Sequence, residues 1–384
     1  MPKLILKGGR VIDPSNELDK IADVVIDGGH ILQISDCAET AEGDNVISAV
    51  GCVVTPGLVD HHAHLYPLAG IGIPAEGVCF SSGVTAAVDA GSTGCATYRQ
   101  YRPFLEQTRL TIRPYLHVSP LGLSTLPGAL EDVNPAVFDE GALRELFSEY
   151  GGELAGLKLR TSAPIVKELG YEPLRKTVRM AERLGVSVMV HCTDPPGPMD
   201  ELLDILRPGD VLTHMYMNIG STILDSRGRV SVSAKAARER GVLFEAADAR
   251  AHFGFSTAEA AISEGFWPDF IGTDLTILSM HLRPTSFNLA MQISRYVYLG
   301  IPLYEVIRRC TVNPARQLGL GGGAGTLSVG ADADCAVFRP ADGPVTFGDR
   351  PYGNPAQQLR TGSTVYDPVL TVKGGLMVYR SVTF

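Results

Sequence analysis

Hydrophobic and polar positions follow two different rhythms along the chain. Near both ends, short apolar runs are separated by glycine pairs, as where Asp27-Gly28-Gly29 divides Asp23–Ile26 from His30–Ile34. An Asp-Gly pair between alternating apolar segments is typical of a β-hairpin. Each end has too few strands to be stable alone. We therefore expect residues 1–53 and 322–384 to combine into one small, composite β-sandwich domain.

Between these ends, residues 54–321 alternate short apolar runs with segments of helical periodicity. Glu172–Leu184 predicts a helix, because its apolar residues recur on one face and Gly185 follows as a typical helix end. Eight such alternations favour a (β/α)8 TIM barrel, an α/β fold. A doubly wound open sheet is the alternative, but no GxGxxG motif follows any of these runs. The predicted strands are Leu58–His64, Val84–Gly91, Ile112–Pro120, Leu154–Thr161, Val186–His191, Asp210–His214, Val242–Asp248 and Asp269–Asp274.

Composition narrows the class of protein. The 384 residues are 45% hydrophobic, enough for a large core, and the formal charge of −9 without a long basic run argues against nucleic acid or an anionic membrane as partner. No apolar run approaches the roughly 18 residues of a membrane span. The seven cysteines include no CxxC pair, and the N-terminus shows no secretory signal. We expect a cytoplasmic protein and a homo-oligomer.

Residue types that bind metal ions stand at the ends of several predicted strands. His62 and His64 close the first strand, and their spacing of two directs both side chains to one face, opposite to His61. Neutral imidazole is the commonest metal ligand, and catalytic residues of such barrels lie at the C-terminal ends of the strands. One histidine at a strand end is usually an ordinary residue, but the joint occurrence predicts a metal site. The candidates on other strands are Lys158, His191, His214 and Asp274.

The sequence resembles the amidohydrolase superfamily of metal-dependent hydrolases. The motif Pro56-Gly57-Leu58-Val59-Asp60-His61-His62-Ala63-His64 carries the resemblance together with the four residues above, and Asn313-Pro314-Ala315 and Gly325–Asp334 match the family's usual ending. Gly83–Ser92 and Gly209–His214 are similar to a narrower deacetylase-type subgroup, which is related to dihydroorotases. The resemblance covers nearly the whole chain and implies the barrel and the composite β-sandwich.

The resemblance implies a centre of two divalent metal ions. Zinc is expected, because imidazole and carboxylate ligands suit it, although manganese, nickel and iron also accept such ligands. The implied ligands are His62, His64 and Asp274 for the first ion and His191 and His214 for the second.

Lys158 is implied as a bridge between the two ions, after carboxylation of its amine by carbon dioxide. Burial in a barrel lowers the pKa of a lysine amine, so that the neutral and nucleophilic form becomes available. The resulting carbamate is an anion that two cations stabilise. The alternative is a buried ion pair between Lys158 and a carboxylate such as Asp89.

The implied reaction is hydrolysis of an amide or ester bond in a small acylated amino or hydroxy acid. A hydroxide held between the ions would attack the carbonyl carbon, with Asp274 as general base and then general acid. A cyclic-amide hydrolase, which opens rings as dihydroorotases or hydantoinases do, is the alternative. Dihydroorotases usually carry an arginine soon after His-x-His, whereas Leu65, Tyr66 and Pro67 follow here. An inactive scaffold protein would have lost a ligand, and none is missing.

Substrate contacts are expected near the same strand ends. Arg160 shares the inward face with Lys158 and is a candidate for binding a substrate carboxylate, with a structural salt bridge as the alternative. Asp248 stands where the subgroup usually has a histidine, so we expect it to face the substrate and to alter specificity. The further candidates are Tyr66, Asn218 and His252.

Overall fold

The structure is a computed structural model that describes residues 2–384, and it contains two eight-stranded sheets. Strands from the two ends of the chain form one sheet, and all the strands between them form the other, a parallel barrel. In chain order the strands are β1 Leu4–Asp13, β2 Leu18–Asp27, β3 His30–Ser35, β4 Asn45–Ser48, β5 Val53–Pro56, β6 Leu58–Ala63, β7 Val84–Gly94, β8 Thr111–His117, β9 Gly156–Arg160, β10 Ser187–His191, β11 Val211–Thr213, β12 Leu243–Ala247, β13 Phe270–Gly272, β14 Cys335–Gly348, β15 Leu359–Lys373 and β16 Leu376–Arg380.

The barrel is built from β6 to β13, which pair in chain order, each parallel to the next. It closes where the backbone N–H of Asp274 donates to the carbonyl of His62 at 2.6 Å and where Ala63 and Leu275 form a parallel bridge. Every residue of β6 and β7 is buried, as expected for strands covered on both faces. The predicted (β/α)8 fold is therefore confirmed, and the C-terminal ends of its strands meet at one rim.

Helices cover the outside of the barrel and follow the predicted periodicity. Helix Glu172–Leu184 has the predicted bounds, buries Leu174, Val178 and Ala181, and ends at Gly185, whose φ of +70° is the left-handed conformation that glycine adopts without strain. No helix within residues 2–384 is long and apolar enough to cross a membrane. The helices are α1 Ala75–Phe80, α2 Tyr98–Gln107, α3 Glu140–Tyr150, α4 Ala163–Val166, α5 Glu172–Leu184, α6 Met199–Ile205, α7 Val232–Glu239, α8 Phe255–Ser263, α9 Leu289–Tyr298, α10 Leu303–Arg309 and α11 Val312–Gln317, with short 3-10 turns at Pro135–Val137 and Lys167–Leu169.

The terminal sheet joins the two ends of the chain through β5. This strand pairs parallel with β1 on one side and antiparallel with β14 on the other. The sheet has its own buried core, to which Leu6 and Val54 contribute from the N-terminal strands and Val337 and Leu370 from the C-terminal ones. The composite β domain is therefore present, while the limits of 53/54 and 321/322 between the domains stay predictions.

Strands β14 and β15 form a long hairpin that reaches from the terminal sheet to the barrel. Near its far end, the carbonyl of Gly348 accepts a hydrogen bond from Arg295 Nη2 at 3.0 Å, and Arg350 Nη1 donates to the carbonyl of Phe253 at 2.6 Å. The sequence predicts only the inner parts of this hairpin, up to Phe338 and from Val369. The outer part is mostly half-exposed, and its prolines and glycines obscure the alternation that predicts a strand.

Candidate metal centre

The six predicted metal-centre residues converge at the C-terminal rim of the barrel. Three of them lie within strands β6, β9 and β10, and three lie one or two residues after strands β6, β11 and β13, so the closure of the barrel brings them together. All six are buried. The residues are His62, His64, Lys158, His191, His214 and Asp274.

His62, His64 and Asp274 form the first group of potential ligands. Both histidine Nε2 atoms lie 3.4 Å from Asp274 Oδ1. Two ligands of one tetrahedral ion with bonds of about 2.0 Å stand roughly 3.3 Å apart, so these separations fit a shared ion. Burial opposes ionisation of Asp274, but the neighbouring His62 and the hydrogen bond with His64 hold its pKa well below the ordinary value, so the carboxylate is charged.

A second group consists of His191, His214 and His252. His191 Nδ1 and His214 Nε2 face each other at 2.7 Å, and one potential ligand atom of each of the three residues lies within 4.8 Å of the others. Burial keeps the pKa of His191 and His214 well below the ordinary value, so both rings are neutral, the form that binds metal. Neutral imidazole nitrogens are good metal ligands, and this group brings three of them together at the rim.

Lys158 lies beside the first group, with Nζ 3.2 Å from His62 Nε2. Burial lowers the pKa of its amine from 10.5 to about 8, although the carboxylates of Glu245 and Asp274 oppose the shift. The alternative partner, Asp89, instead accepts hydrogen bonds from the backbone N–H groups of Leu65 and Ser92, each at 2.8 Å. A neutral amine is therefore accessible near pH 8, as carboxylation requires.

Two of the potential ligands have a left-handed backbone. His214 has a φ of +62° and Asp274 a φ of +52°; His214 is the first residue after β11, and Asp274 is the second residue after β13. Non-glycine residues adopt this conformation rarely, and when they do the position is often functional. Here the turn ends the strand and directs the side chain into the rim of the barrel.

Glu245 and His61 also belong to the buried part of the metal centre. The sequence analysis predicted a role there for neither residue. Glu245 Oε2 lies 2.8 Å from His62 Nδ1, and Oε1 contacts His61 Nδ1. Regular alternation predicts that His61 and His62 point to opposite faces, but the pairing of β6 with β7 shifts register between Asp60 and Ala63. An acidic residue inside the apolar strand Leu243–Ala247 was the available signal for Glu245.

A cavity opens above these residues at the rim. Apolar side chains, including Ile71, Leu123 and Leu126, line one part of it, and the basic side chains of Arg160 and Arg250 line another. The same cavity contains the exposed edges of the two ligand groups. Its lining therefore combines an apolar wall with positive charge next to the candidate metal centre.

Arg160 and His252, two of the predicted substrate contacts, line this cavity. Arg160 Nη1 lies 3.3 Å from Glu131 Oε2, but its Nε atom has no hydrogen-bond partner within residues 2–384, so the guanidinium keeps free donor capacity. His252 pairs Nδ1 with Thr193 Oγ1 at 2.8 Å and directs Nε2 towards Asp274 Oδ2 at 3.5 Å.

The three other predicted substrate contacts lie outside the lining of the cavity as far as residues 2–384 show. Tyr66 is buried against the rings of Tyr101 and Phe104, because the chain turns inward after His64. Asn218 accepts a hydrogen bond from Arg350 on the long hairpin. Asp248 forms a buried ion pair with Arg295.

Comparison with known proteins places these features in a family. Residues 53–365 match the amidohydrolase family. A deacetylase of Agrobacterium fabrum is 32% identical over 324 residues, which cover 83% of this chain and 79% of that protein. A dihydroorotase of Geotalea daltonii is 25% identical over 394 residues, which cover 88% and 89%.

Solved structures share the whole architecture. The crystal structure of a dihydroorotase has 28% sequence identity and a TM-score of 0.88, and the match covers 99% of this chain and 98% of that one. An adenine deaminase at 23% identity and a TM-score of 0.87 shows the likeness of the fold alone. The family match spans most of the chain, and the closed barrel brings residue types that bind metal ions together at its rim. The chain therefore belongs to the amidohydrolase family of hydrolases.

Proposed function

We propose that this protein is a metal-dependent hydrolase of an amide or ester bond in a small acylated amino or hydroxy acid. The observation that carries the proposal is that two ligand groups adjoin at the barrel rim, with the rings of His62 and His214 5.2 Å apart between centroids, beside a lysine of lowered pKa. The deacetylase relatives support the type of bond, since the chain spans 79% of the first of them.

The donor atoms fit a centre of two divalent ions, of which zinc is the expected kind. Two such ions supply a water of lowered pKa and polarise the carbonyl that is attacked. Lys158, carboxylated by carbon dioxide, would add an anionic bridge. The ligands in this proposal are His62, His64 and Asp274 for the first ion and His191 and His214 for the second.

The chain's own residues move the proton and hold the substrate. Asp274 is charged and directs Oδ2 towards His252 at the cavity, so it accepts a proton there and returns it to the leaving nitrogen or oxygen. Arg160 lines the cavity and can bind a substrate carboxylate through its guanidinium group. The apolar wall near Leu123 and Leu126 suits an acyl group or an apolar side chain and keeps bulk water away.

A cyclic-amide hydrolase is the second candidate. Relatives named dihydroorotase and the solved dihydroorotase structure favour it, and the same ligands would serve. Leu65, Tyr66 and Pro67 occupy the place after His-x-His where the resemblance leads us to expect an arginine in dihydroorotases, and the structure buries Tyr66. The homo-oligomeric state and the cytoplasmic location stay predictions.

An assay panel tests the proposal. Zinc-loaded protein is incubated with N-acetyl amino acids, O-acetyl hydroxy acids, dihydroorotate and hydantoins, and product formation is measured with chelator-treated protein as the control. We expect zinc-dependent release of acetate from at least one acyl acid. Ring opening that is faster than every deacetylation would contradict the proposal and favour the second candidate.

A further inference from the structure

Glu245 is a carboxylate that two consecutive histidines share inside the barrel. Its side chain is fully buried on β12, and the rings of His61 and His62 are buried as well. Each carboxylate oxygen contacts one Nδ1 atom, with 2.8 Å between Oε2 and His62 Nδ1. Burying a charge is costly unless its oxygens are satisfied, so this arrangement holds the carboxylate firmly in place.

The contact with Glu245 fixes which nitrogen of His62 carries the proton. An ionised carboxylate only accepts hydrogen bonds, so His62 Nδ1 must be the donor and the neutral ring keeps its lone pair on Nε2. The geometry fits the ionised form, because each of the two carboxylate oxygens faces an Nδ1 atom of a histidine and both can accept a hydrogen bond. The Nε2 atom is the one that faces Asp274 and Lys158.

Local backbone features let the two strands meet across the barrel wall. Strand β13 lies between β6 and β12 around the closed barrel, and Gly272 on it leaves the space that His62 occupies. A side chain at Gly272 would place its Cβ 2.7 Å from the backbone nitrogen of His62 and 2.8 Å from its Cβ. The register shift in β6 then brings His61 to the same carboxylate, which satisfies the second oxygen.

From these contacts we propose that Glu245 is a positioning residue for the metal centre: it holds His62 in the Nδ1–H form with Nε2 directed at the first ion. This inference rests on the proposed function, because it assumes that His62 binds metal. His61 has a different role, since it touches Glu245 and Gln317 and stacks on Phe270 at 4.2 Å between ring centroids, away from the ligand groups.

The first test measures zinc affinity in variants of the full chain by competition with a chelator. In Glu245→Gln, an amide of the same shape can donate to one ring and no longer requires Nδ1–H on His62. We expect the zinc affinity of the first site, to which His62 contributes, to fall about 10- to 100-fold, the range known for partners of metal-binding histidines. His61→Gln is the matched control, because it disturbs the same buried cluster without touching the ligand groups, and its zinc affinity should change less than about 3-fold.

The variants are compared only after unfolding curves show that they fold, and Glu245→Asp, which keeps the charge, replaces the glutamine variant if it does not. That shorter carboxylate should recover part of the lost affinity. Equal losses in the Glu245 and His61 variants, or an unchanged affinity in Glu245→Gln, would overturn the inference.

The second test needs no variant and separates this inference from the proposed function. Nitrogen-15 NMR of the metal-free wild-type protein reports the protonated nitrogen of His62. We expect the proton on Nδ1, and a proton on Nε2 alone would overturn the inference. Wild-type protein that binds no divalent ion at all would instead overturn the proposed function, whatever the tautomer of His62.

Discussion

Arg295 and Asp248 form a buried ion pair, with Arg295 Nη1 2.9 Å from Asp248 Oδ2 and both side chains almost fully shielded from solvent. The hydroxyl of Tyr296 donates to the other carboxylate oxygen at 2.8 Å. Burial raises the pKa of Asp248, and Arg295 opposes that shift most strongly. Both oxygens of Asp248 therefore have partners within the protein, whereas the sequence analysis expects them to face the substrate.

The ion pair predicts an effect on stability rather than on specificity. Replacing Asp248 with Ala leaves the charge of Arg295 buried and unpaired, so the free energy of unfolding should fall by about 3–5 kcal/mol. Urea unfolding measures this loss. The double variant Asp248→Leu/Arg295→Met should lose less than Asp248→Ala, because it leaves no unpaired charge. Relative rates across the acyl panel should stay unchanged, and a reversal of substrate preference would contradict this assignment.

Removing both histidines of the first ligand group should empty one metal site. We expect the variant His62→Asn/His64→Asn to bind at least one ion fewer per chain than the wild type and to lose hydrolysis, because only Asp274 would remain of that group. Elemental analysis of the purified protein counts the ions. His30→Asn is the control, since His30 is an exposed histidine of the terminal sheet. Full metal content and activity in the double variant would refute the metal centre.

Lys158 predicts a dependence on pH and on carbon dioxide. Its amine has a pKa of about 8, below the ordinary 10.5, so the neutral fraction rises about tenfold per pH unit up to pH 8 and then levels off. At a fixed concentration of dissolved carbon dioxide, the rate at which zinc reactivates metal-free protein should follow that curve. A rate that keeps rising to pH 10 would indicate an ordinary lysine.

A variant separates the bridging role of Lys158 from a structural one. Lys158→Ala should lose metal and activity, and short-chain carboxylates such as acetate or propionate should restore part of both by supplying the missing anion. Full activity of the variant without any additive would mean that Lys158 is structural.

Arg160 predicts selectivity for anionic substrates. Arg160→Gln removes a cation that lines the cavity, and a hydrogen bond to a charged group contributes about 1.5–3 kcal/mol. We therefore expect KM for an anionic acyl acid to rise roughly 10- to 100-fold, with a smaller change for its neutral methyl ester. Arg250→Gln serves as the comparison, because Arg250 is an exposed arginine of the same cavity. Equal effects on the acid and the ester would argue against a carboxylate contact.

The sequence contains most of the information on the barrel and on the ligand groups. Several barrel strands are buried apolar runs that end in a polar residue or are soon followed by one, so position along the chain predicts position at the rim, as for His191 and Asp274. The closed barrel then brings distant residues together. Helix Glu172–Leu184 was also predictable, because its apolar periodicity and the glycine that ends it, Gly185, are both visible in the local sequence.

The contacts that sequence reasoning missed depend on pairing across the fold. Glu245 reaches His62 only because β6 has a register shift and Gly272 leaves space, and no local pattern encodes either condition. Asp248 likewise follows a strand as the ligands do, but its partner Arg295 lies on a helix 47 residues further along the chain. Spacing predicts which residues come to the rim, whereas their partners decide which of them face the cavity.

The long hairpin affects how the protein folds while it is being synthesised on the ribosome. Residues 335–373 are synthesised after all eight barrel strands. Yet Gly348 accepts a hydrogen bond from Arg295, and Arg350 donates hydrogen bonds to Phe253 and Asn218 beside the rim. Strand β1, made first, also waits for β14 to complete the sheet around β5. Pairings of such large sequence separation form slowly. The rim of the barrel therefore stays incomplete while most of the chain is synthesised. The loop that contains His252 becomes fixed only after the hairpin has formed.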